Sequence, residues 1–118
     1  MSQRESAELV WKALADEKRR KILDLLARKE RTTGEVCAFL GSDAHGGLSR
    51  TGVMKHLDVL ERAHLIVVRR EGRKRWNHIN PVPIQRICDR WVSRHVRDLA
   101  RSADRLKSLV EGTRTARD

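Results

Sequence analysis

The chain has 118 residues and carries 26 Lys and Arg against 16 Asp and Glu, a formal net charge of +10. This excess of basic charge favours a polyanionic partner, nucleic acid before an anionic membrane surface. No membrane anchor is expected, because the N-terminus is polar and no apolar run approaches the roughly 18 residues of a spanning helix. Two cysteines, Cys37 and Cys88, make no disulfide framework, so we expect a cytoplasmic protein.

Two amphipathic helices are predicted at the start of the chain. The first has an apolar face that includes Trp11, and Asp16 is the expected N-terminal cap of the second. The second helix begins with the basic run Lys18-Arg19-Arg20-Lys21. This run is either a solvated face, the preferred interpretation, or a phosphate contact.

A helix-turn-helix is predicted over about 33–62. Thr32-Thr33-Gly34-Glu35 fits a capping box at the start of its first helix. The connection over residues 42–47 has the composition of a mobile loop. His45 in this loop could reach DNA or face solvent, and we favour solvent.

The second helix of this motif, predicted over 49–62, has the features of a recognition helix. Ser49 is a suitable cap, and Val53, Leu57 and Leu60 form one buried stripe. The opposite face carries DNA-binding candidates, as does the first turn, and a helix of this kind fits the major groove. The candidates on this helix are Ser49, Arg50, Thr51, Lys55 and His56. For His56, contact to the DNA backbone and structural packing are equally supported.

A two-stranded wing is predicted over about 65–79, with Glu71-Gly72 at its tight turn. Basic side chains concentrate at the tip, where they would contact phosphates. The DNA-binding candidates here are Arg70, Arg73, Lys74 and Arg75. Trp76 is interpreted as a packing residue at the base of the wing, although it could also stack on a base.

A long helix is predicted over about 81–111, and Gly112 is expected to end it. Its length of about 46 Å exceeds what a compact domain of this size needs, so its apolar stripe requires a second surface. We therefore predict a homodimer. The candidate interface residues are Trp11, Ile87, Trp91, Leu99 and Leu106. The predicted fold is mainly α: a single winged helix-turn-helix domain over 1–118 with a C-terminal dimerisation helix.

Several segments of the chain resemble ArsR-type (arsenic-repressor-like) bacterial regulators. Residues 13–23 are similar to their "ALADPTRRxIL" opening, and residues 48–57 to their "MSRPAVSKHL" recognition helix. Residues 60–66 and 70–75 match their "LxxAGLV" and "REGRxR" segments. The Asn80-Pro81 junction and Asp89-Arg90-Trp91 resemble a non-metal subgroup often encoded beside START-like (SRPBCC) proteins. The resemblance implies a dimeric repressor of a palindromic operator in double-stranded DNA; loop 42–47 departs from the family pattern.

Neither of the metal sites familiar in this family is complete. The thiolate sensors have a Cys-x-Cys pair, whereas here Phe39 stands two residues after Cys37. On the last helix His95 and Asp98 offer only a partial set, so no metal or cofactor is expected. Cys37 and Cys88 are interpreted as small buried hydrophobic residues. The alternatives are a metal- or thiol-responsive repressor of the same fold, or a winged helix that contacts RNA or protein. No motif indicates an enzyme.

Overall fold

The computed structural model describes residues 2–117, except the side chains of residue 93 and residues 113–117. The chain divides into two compact units, Met1–Ile84 and Gln85–Asp118, and each is described by itself. The first unit contains helices α1 (Gln3–Leu14), α2 (Glu17–Arg28), α3 (Thr33–Gly41) and α4 (Arg50–Arg62). It also contains strands β1 (Arg31–Thr32), β2 (Ile66–Glu71) and β3 (Lys74–Ile79).

The four helices of the first unit each begin at a polar capping residue. Ser2, Asp16, Thr32 and Ser49 accept hydrogen bonds from backbone amides in the first turns of α1, α2, α3 and α4. The Thr32 hydroxyl oxygen accepts from the Glu35 amide at 3.1 Å, which is the capping half of the predicted capping box, and the same hydroxyl donates to Oε1 of Glu35 at 3.3 Å. These caps satisfy amides that the helices themselves leave unpaired.

One hydrophobic core lies between these helices and the sheet. α1, α2 and α4 pack against one another, α3 packs on α4, and β3 contacts α2 and α3. The buried stripe of α4 is the predicted one, Val53, Leu57 and Leu60. The other members of this core are Val10, Ala13, Ile22, Leu23, Leu26, Val36, Leu40, Ala63, Leu65 and Ile66.

The wing is confirmed, and it belongs to a sheet of three antiparallel strands in the order β1-β3-β2. β2 and β3 form the predicted hairpin, with Gly72 at φ +62° in its turn. A left-handed φ is the conformation that favours glycine in a tight hairpin. The third strand, β1, comes from the residues just before α3 and pairs Thr32 with Trp76. The hairpin is thereby fastened to the helix-turn-helix.

The connection between α3 and α4, which was predicted to be a mobile loop, contains one turn of helix. Residues Asp43–His45 form a turn of 3₁₀ helix, and the Gly47 amide donates to the Ser42 carbonyl at 2.9 Å. The His45 ring stacks on Phe39, with centroids 4.0 Å apart. His45 is half-buried, so its side chain is less solvated than the preferred interpretation expected. No periodic pattern in the sequence indicates that His45 stacks on Phe39.

The second unit differs from the single helix predicted over 81–111. α5 (Val82–Ile87), which begins in the first unit, is followed by a π-helical segment, Cys88–Val92, and by α6 (Ser93–Arg117). A π turn accommodates one extra residue. Because apolar residues are doubled at Ile87-Cys88 and Trp91-Val92, the apolar stripe stays in register with or without that extra residue, and the sequence pattern does not indicate it. α6 also continues past Gly112, since glycine in a helix costs only about 1 kcal/mol.

Both cysteines are half-buried, so they are less enclosed than predicted. Within residues 2–117, no helix is both long enough and apolar enough to cross a membrane.

Candidate nucleic-acid interface

Helix α4 presents two chemically different sides. Val53, Leu57 and Leu60 are buried in the core, whereas Thr51 and Lys55 are exposed. Because Thr51 and Lys55 are four residues apart, their side chains lie on one face of the helix. Arg50 is also exposed, at the first helical position. This is the arrangement of a helix that inserts its polar face and N-terminus into a major groove.

Ser49 fixes where α4 begins. Its hydroxyl oxygen accepts a hydrogen bond from the Gly52 amide at 3.1 Å. The hydroxyl is exposed and retains its own proton as a donor. The structure therefore gives Ser49 a capping role and leaves it placed beside Arg50 at the end of the helix.

The wing tip concentrates positive charge at adjacent positions. Arg70 and Arg75 lie directly opposite each other on β2 and β3. Like charges in such a pair are unfavourable for the hairpin itself. Arg75 is nevertheless held in place, because its Nη2 lies 3.7 Å from Oε2 of Glu61 on α4. Arg70, Arg73 and Lys74 are exposed.

The end of α4 sets the direction in which the chain enters the wing. His64 has a left-handed φ of +59°. The Leu65 amide donates to the Leu60 carbonyl at 3.0 Å, and the His64 amide donates to Glu61 at 2.9 Å. These two bonds form a Schellman motif, and His64 occupies the position that usually holds glycine. The Asn80 side chain donates to the His64 carbonyl at 2.8 Å.

His56 is held by the beginning of α2, a contact that sequence analysis did not identify. Its Nδ1 lies 3.2 Å from Nη1 of Arg19. Arg19 also donates to the carbonyls of Lys12 and Ala13 at the end of α1. Burial lowers the pKa of His56, as do the charges of Arg19 and Lys18, although Asp16 raises it. Of the two interpretations of His56, this contact supports packing, while its half-buried ring leaves a DNA contact open.

Part of the basic run at the start of α2 forms hydrogen bonds with the end of α1. Arg19 is 14% exposed in its side chain, and Arg20 donates to the Leu14 carbonyl. Neither a solvated face nor a phosphate contact accounts for these bonds to the end of α1. Asp16 caps the same turn. Burial alone would raise the pKa of Asp16. The amides of Lys18 and Arg19, together with the charges of His56 and Arg19, lower this pKa overall.

Trp76 is half-buried in β3, in agreement with its interpretation as a packing residue. It pairs with Thr32 on one side and Arg69 on the other.

The second unit exposes an apolar stripe. Trp91, Leu99 and Leu106 are 57%, 65% and 64% exposed, and Val92, Val96 and Val110 are exposed beside them. Ile87 differs from the other interface candidates because it is buried within the single chain. In the first unit, Trp11 is 45% exposed on α1. Among the described residues, no group of three or more His, Cys, Asp or Glu side chains could hold a metal ion.

Comparison with known proteins identifies the same motif. A model of a helix-turn-helix domain (HTH_20) matches residues 14–69. The HTH-type transcriptional regulator YuzN of Bacillus subtilis is 35% identical over 86 residues, which are 72% of this chain and 94% of YuzN. The transcriptional repressor SdpR of the same organism is 33% identical over 76 residues, 64% of this chain and 78% of SdpR.

Solved structures have the same architecture. The ArsR family transcriptional regulator RHA00566 is 28% identical with a TM-score of 0.68, over 83% of this chain and 93% of RHA00566. The homodimeric winged helix-turn-helix domain of Mb0332 from Mycobacterium bovis, described as a possible ArsR-family regulator, is 30% identical with a TM-score of 0.58, over 80% of each chain. The present chain therefore belongs to the ArsR family of helix-turn-helix transcriptional regulators.

Proposed function

We propose that this protein is a homodimeric repressor that binds a palindromic operator in double-stranded DNA. The observation that carries the proposal is the pairing, within the first unit, of the exposed polar face of α4 with a basic hairpin tip fixed to it by Arg75 and Glu61. Repression and homodimerisation are inferred from the likeness to SdpR and Mb0332.

The DNA-binding residues fall into two groups by position. Arg50, Thr51 and Lys55 read base edges, with Ser49 at the helix end and His56 on its flank. The tip residues Arg70, Arg73 and Lys74 hold phosphates. Arg75 acts in the same cluster while it is tethered to Glu61. Base contacts carry discrimination of about 1–3 kcal/mol each, whereas phosphate contacts carry affinity that salt reduces.

A binding-site selection with random duplexes tests this division. Lys55→Ala should change which base pairs are preferred. Arg73→Ala combined with Lys74→Ala should weaken binding to all sequences and reduce the slope of log affinity against log salt by up to about four across two wings. Lys29→Ala, an exposed lysine at the far end of α2, is the matched control and should leave base preference unchanged. A wing variant that kept its salt slope but lost base preference would reverse the two roles.

The non-metal character of the subgroup belongs to the same proposal. Operator binding should be equal with a chelator and with added zinc, nickel or arsenite. Tight stoichiometric metal binding with release of DNA would contradict it, and His95, Asp98 and the cysteines would then be the first ligands to replace.

A further inference from the structure

The Arg19 side chain joins three helices of the first unit at one point. It lies in α2, its Nε donates to the Ala13 carbonyl at 2.8 Å, and its Nη2 donates to the Lys12 carbonyl at 2.9 Å. Its Nη1 lies 3.9 Å from Oδ2 of Asp16, the cap of α2, and 3.2 Å from Nδ1 of His56 on α4. With only 14% of its side chain exposed, this guanidinium is fixed in direction.

The contact to His56 determines where the imidazole carries its proton. A guanidinium has only N–H donors and does not lose its proton in proteins. Nδ1 of His56 must therefore be the acceptor in the 3.2 Å contact. A neutral imidazole with an unprotonated Nδ1 carries its hydrogen on Nε2. Burial also disfavours the doubly protonated ring; Asp16 favours it, but the charges of Arg19 and Lys18 oppose Asp16, and the pKa of His56 is lowered overall.

The Nε2–H that results is available at the protein surface. His56 is half-buried, and no described residue accepts a hydrogen bond from its Nε2. Nε2 is also not one of the fully buried polar atoms without a hydrogen-bond partner, which are found on Arg31, Arg75 and Trp76. His56 lies between the buried stripe of α4 and the face of Thr51 and Lys55. When such a helix occupies a groove, its flanks face the phosphates that line the groove.

We propose that Arg19 is a positioning residue for DNA binding, which holds the proton of His56 on Nε2 so that this N–H donates to a DNA phosphate. The proposal rests on the proposed function, since it assumes that α4 enters the groove. It assigns to Arg19 a role different from that of a direct phosphate contact. A phosphate bound in this way is recognised by a neutral donor and not by a charge.

The first test needs no DNA. Long-range ¹H–¹⁵N correlation spectra of the free protein identify which ring nitrogen of His56 is protonated. The expected form is the Nε2–H tautomer in the native protein, and a mixture of tautomers in Arg19→Met, checked for folding by circular dichroism. A native protein with the proton on Nδ1, or a tautomer unaltered by the loss of Arg19, would overturn the proposal.

The second test uses two variants that leave Arg19 in place. A glutamine amide nitrogen can replace the Nε2–H donor, whereas an asparagine oxygen can replace the Nδ1 acceptor. His56→Gln should therefore bind a random-sequence duplex almost as well as the native protein. His56→Asn should keep the bond to Arg19 but bind about tenfold more weakly, the equivalent of one lost hydrogen bond.

The remaining outcomes are also informative. If both variants bind as the native protein does, His56 makes no DNA contact and the proposal fails. If His56→Gln is the weaker variant, the role of His56 is packing alone. If the native protein itself does not bind duplex DNA, the proposed function fails, and the tautomer measured in the free protein stands as a separate result.

Discussion

Asn77 is a buried polar side chain that links the wing to the helix-turn-helix. It is 1% exposed, and its Nδ2 donates to the Arg31 carbonyl at 3.2 Å and to the Thr33 hydroxyl at 3.1 Å. Asn77→Ala should lower the free energy of unfolding by about 2–3 kcal/mol, because buried partners lose their donor. Urea denaturation measures this change.

Asn80→Ala provides the matched control for Asn77. Asn80 also makes two bonds, since its Nδ2 donates to the His64 carbonyl and its Oδ1 accepts from the Val82 amide, but both bonds are exposed to solvent. Water can replace the missing donor there, so the loss should be only about 0.5–1.5 kcal/mol. Equal losses in the two variants would mean that burial of the Asn77 bonds does not strengthen them.

His56 makes stability depend on pH near neutrality. Burial lowers its pKa in the folded state, the charges of Arg19 and Lys18 lower it further, and Asp16 opposes them. The unfolded chain, with a histidine pKa of about 6.5, therefore binds the proton first as the pH falls. The stability that neutral His56 contributes is complete above that value and is lost as the pH falls from about 6.5 through the lower folded pKa.

Chemical denaturation over a series of pH values checks this dependence. His56→Gln cannot titrate, so its stability should fall less steeply than that of the native protein below about pH 6.5. Asp16 acts in a lower window, because its pKa is lowered from 3.8 and its stabilisation is lost as the pH falls below that value. That loss should occur in both proteins. Parallel profiles down to pH 4 would show that His56 titrates alike in the folded and unfolded chain.

At the scale of the secondary-structure element, the end of α4 carries an unfavourable backbone conformation. His64 has φ +59° in a Schellman motif, where glycine is the usual residue and where the family pattern also has glycine. His64→Gly should stabilise the fold by about 0.5–1 kcal/mol, because the cost of a left-handed side-chain residue exceeds the added freedom of the unfolded chain. The midpoint of thermal unfolding should rise accordingly.

The control for this substitution is His78→Gly, within β3. There the backbone is extended, so glycine relieves nothing and weakens the strand. His78→Gly should lower the unfolding midpoint. If both glycine variants were destabilised, the left-handed residue would not be a source of strain.

Elements with their own start signals could be predicted from the sequence. Three helix starts could be recognised from their capping residues, because capping is a local interaction between neighbouring residues. These residues are Asp16, Thr32 and Ser49. β1 could not be predicted, since two residues have no periodicity and its pairing with Trp76 is a tertiary contact. The π segment was also hidden, because Ile87-Cys88 and Trp91-Val92 keep an apolar residue in register with or without it.

The candidate site follows the same division. The exposed face of α4 and the basic wing tip could be predicted, since both depend on local spacing. The contacts of Arg19 with His56 and of Arg75 with Glu61 join residues far apart in the chain. No motif specifies them, so sequence analysis identified the basic residues without their partners.

At the scale of the whole molecule, the exposed apolar stripe of the second unit predicts dimerisation. The protein should sediment at twice 13.6 kDa at micromolar concentration. Leu99→Glu places a carboxylate in the stripe, where burial without a partner is costly, so this variant should sediment as a monomer. It should also bind operator DNA more than tenfold more weakly, because a single half-site offers few contacts.

Ser108→Glu adds the same charge on the opposite face of α6, where Ser108 is exposed. This control should remain a dimer. A native monomer that still bound its operator tightly, or a dimer unaffected by Leu99→Glu, would contradict dimerisation through α6.

The bonds of Asn77 join the wing to β1 and α3, and the Glu61–Arg75 ion pair joins the wing to the recognition helix α4. These links hold α4 and the wing at one separation. The separation between the bases that α4 reads and the phosphates that the wing holds is then a property of the protein and not of the DNA. One base pair inserted within a half-site moves the flanking phosphates by about 3.4 Å. The wing cannot follow the displaced phosphates while α4 stays on its bases, so the protein binds half-sites of one length only.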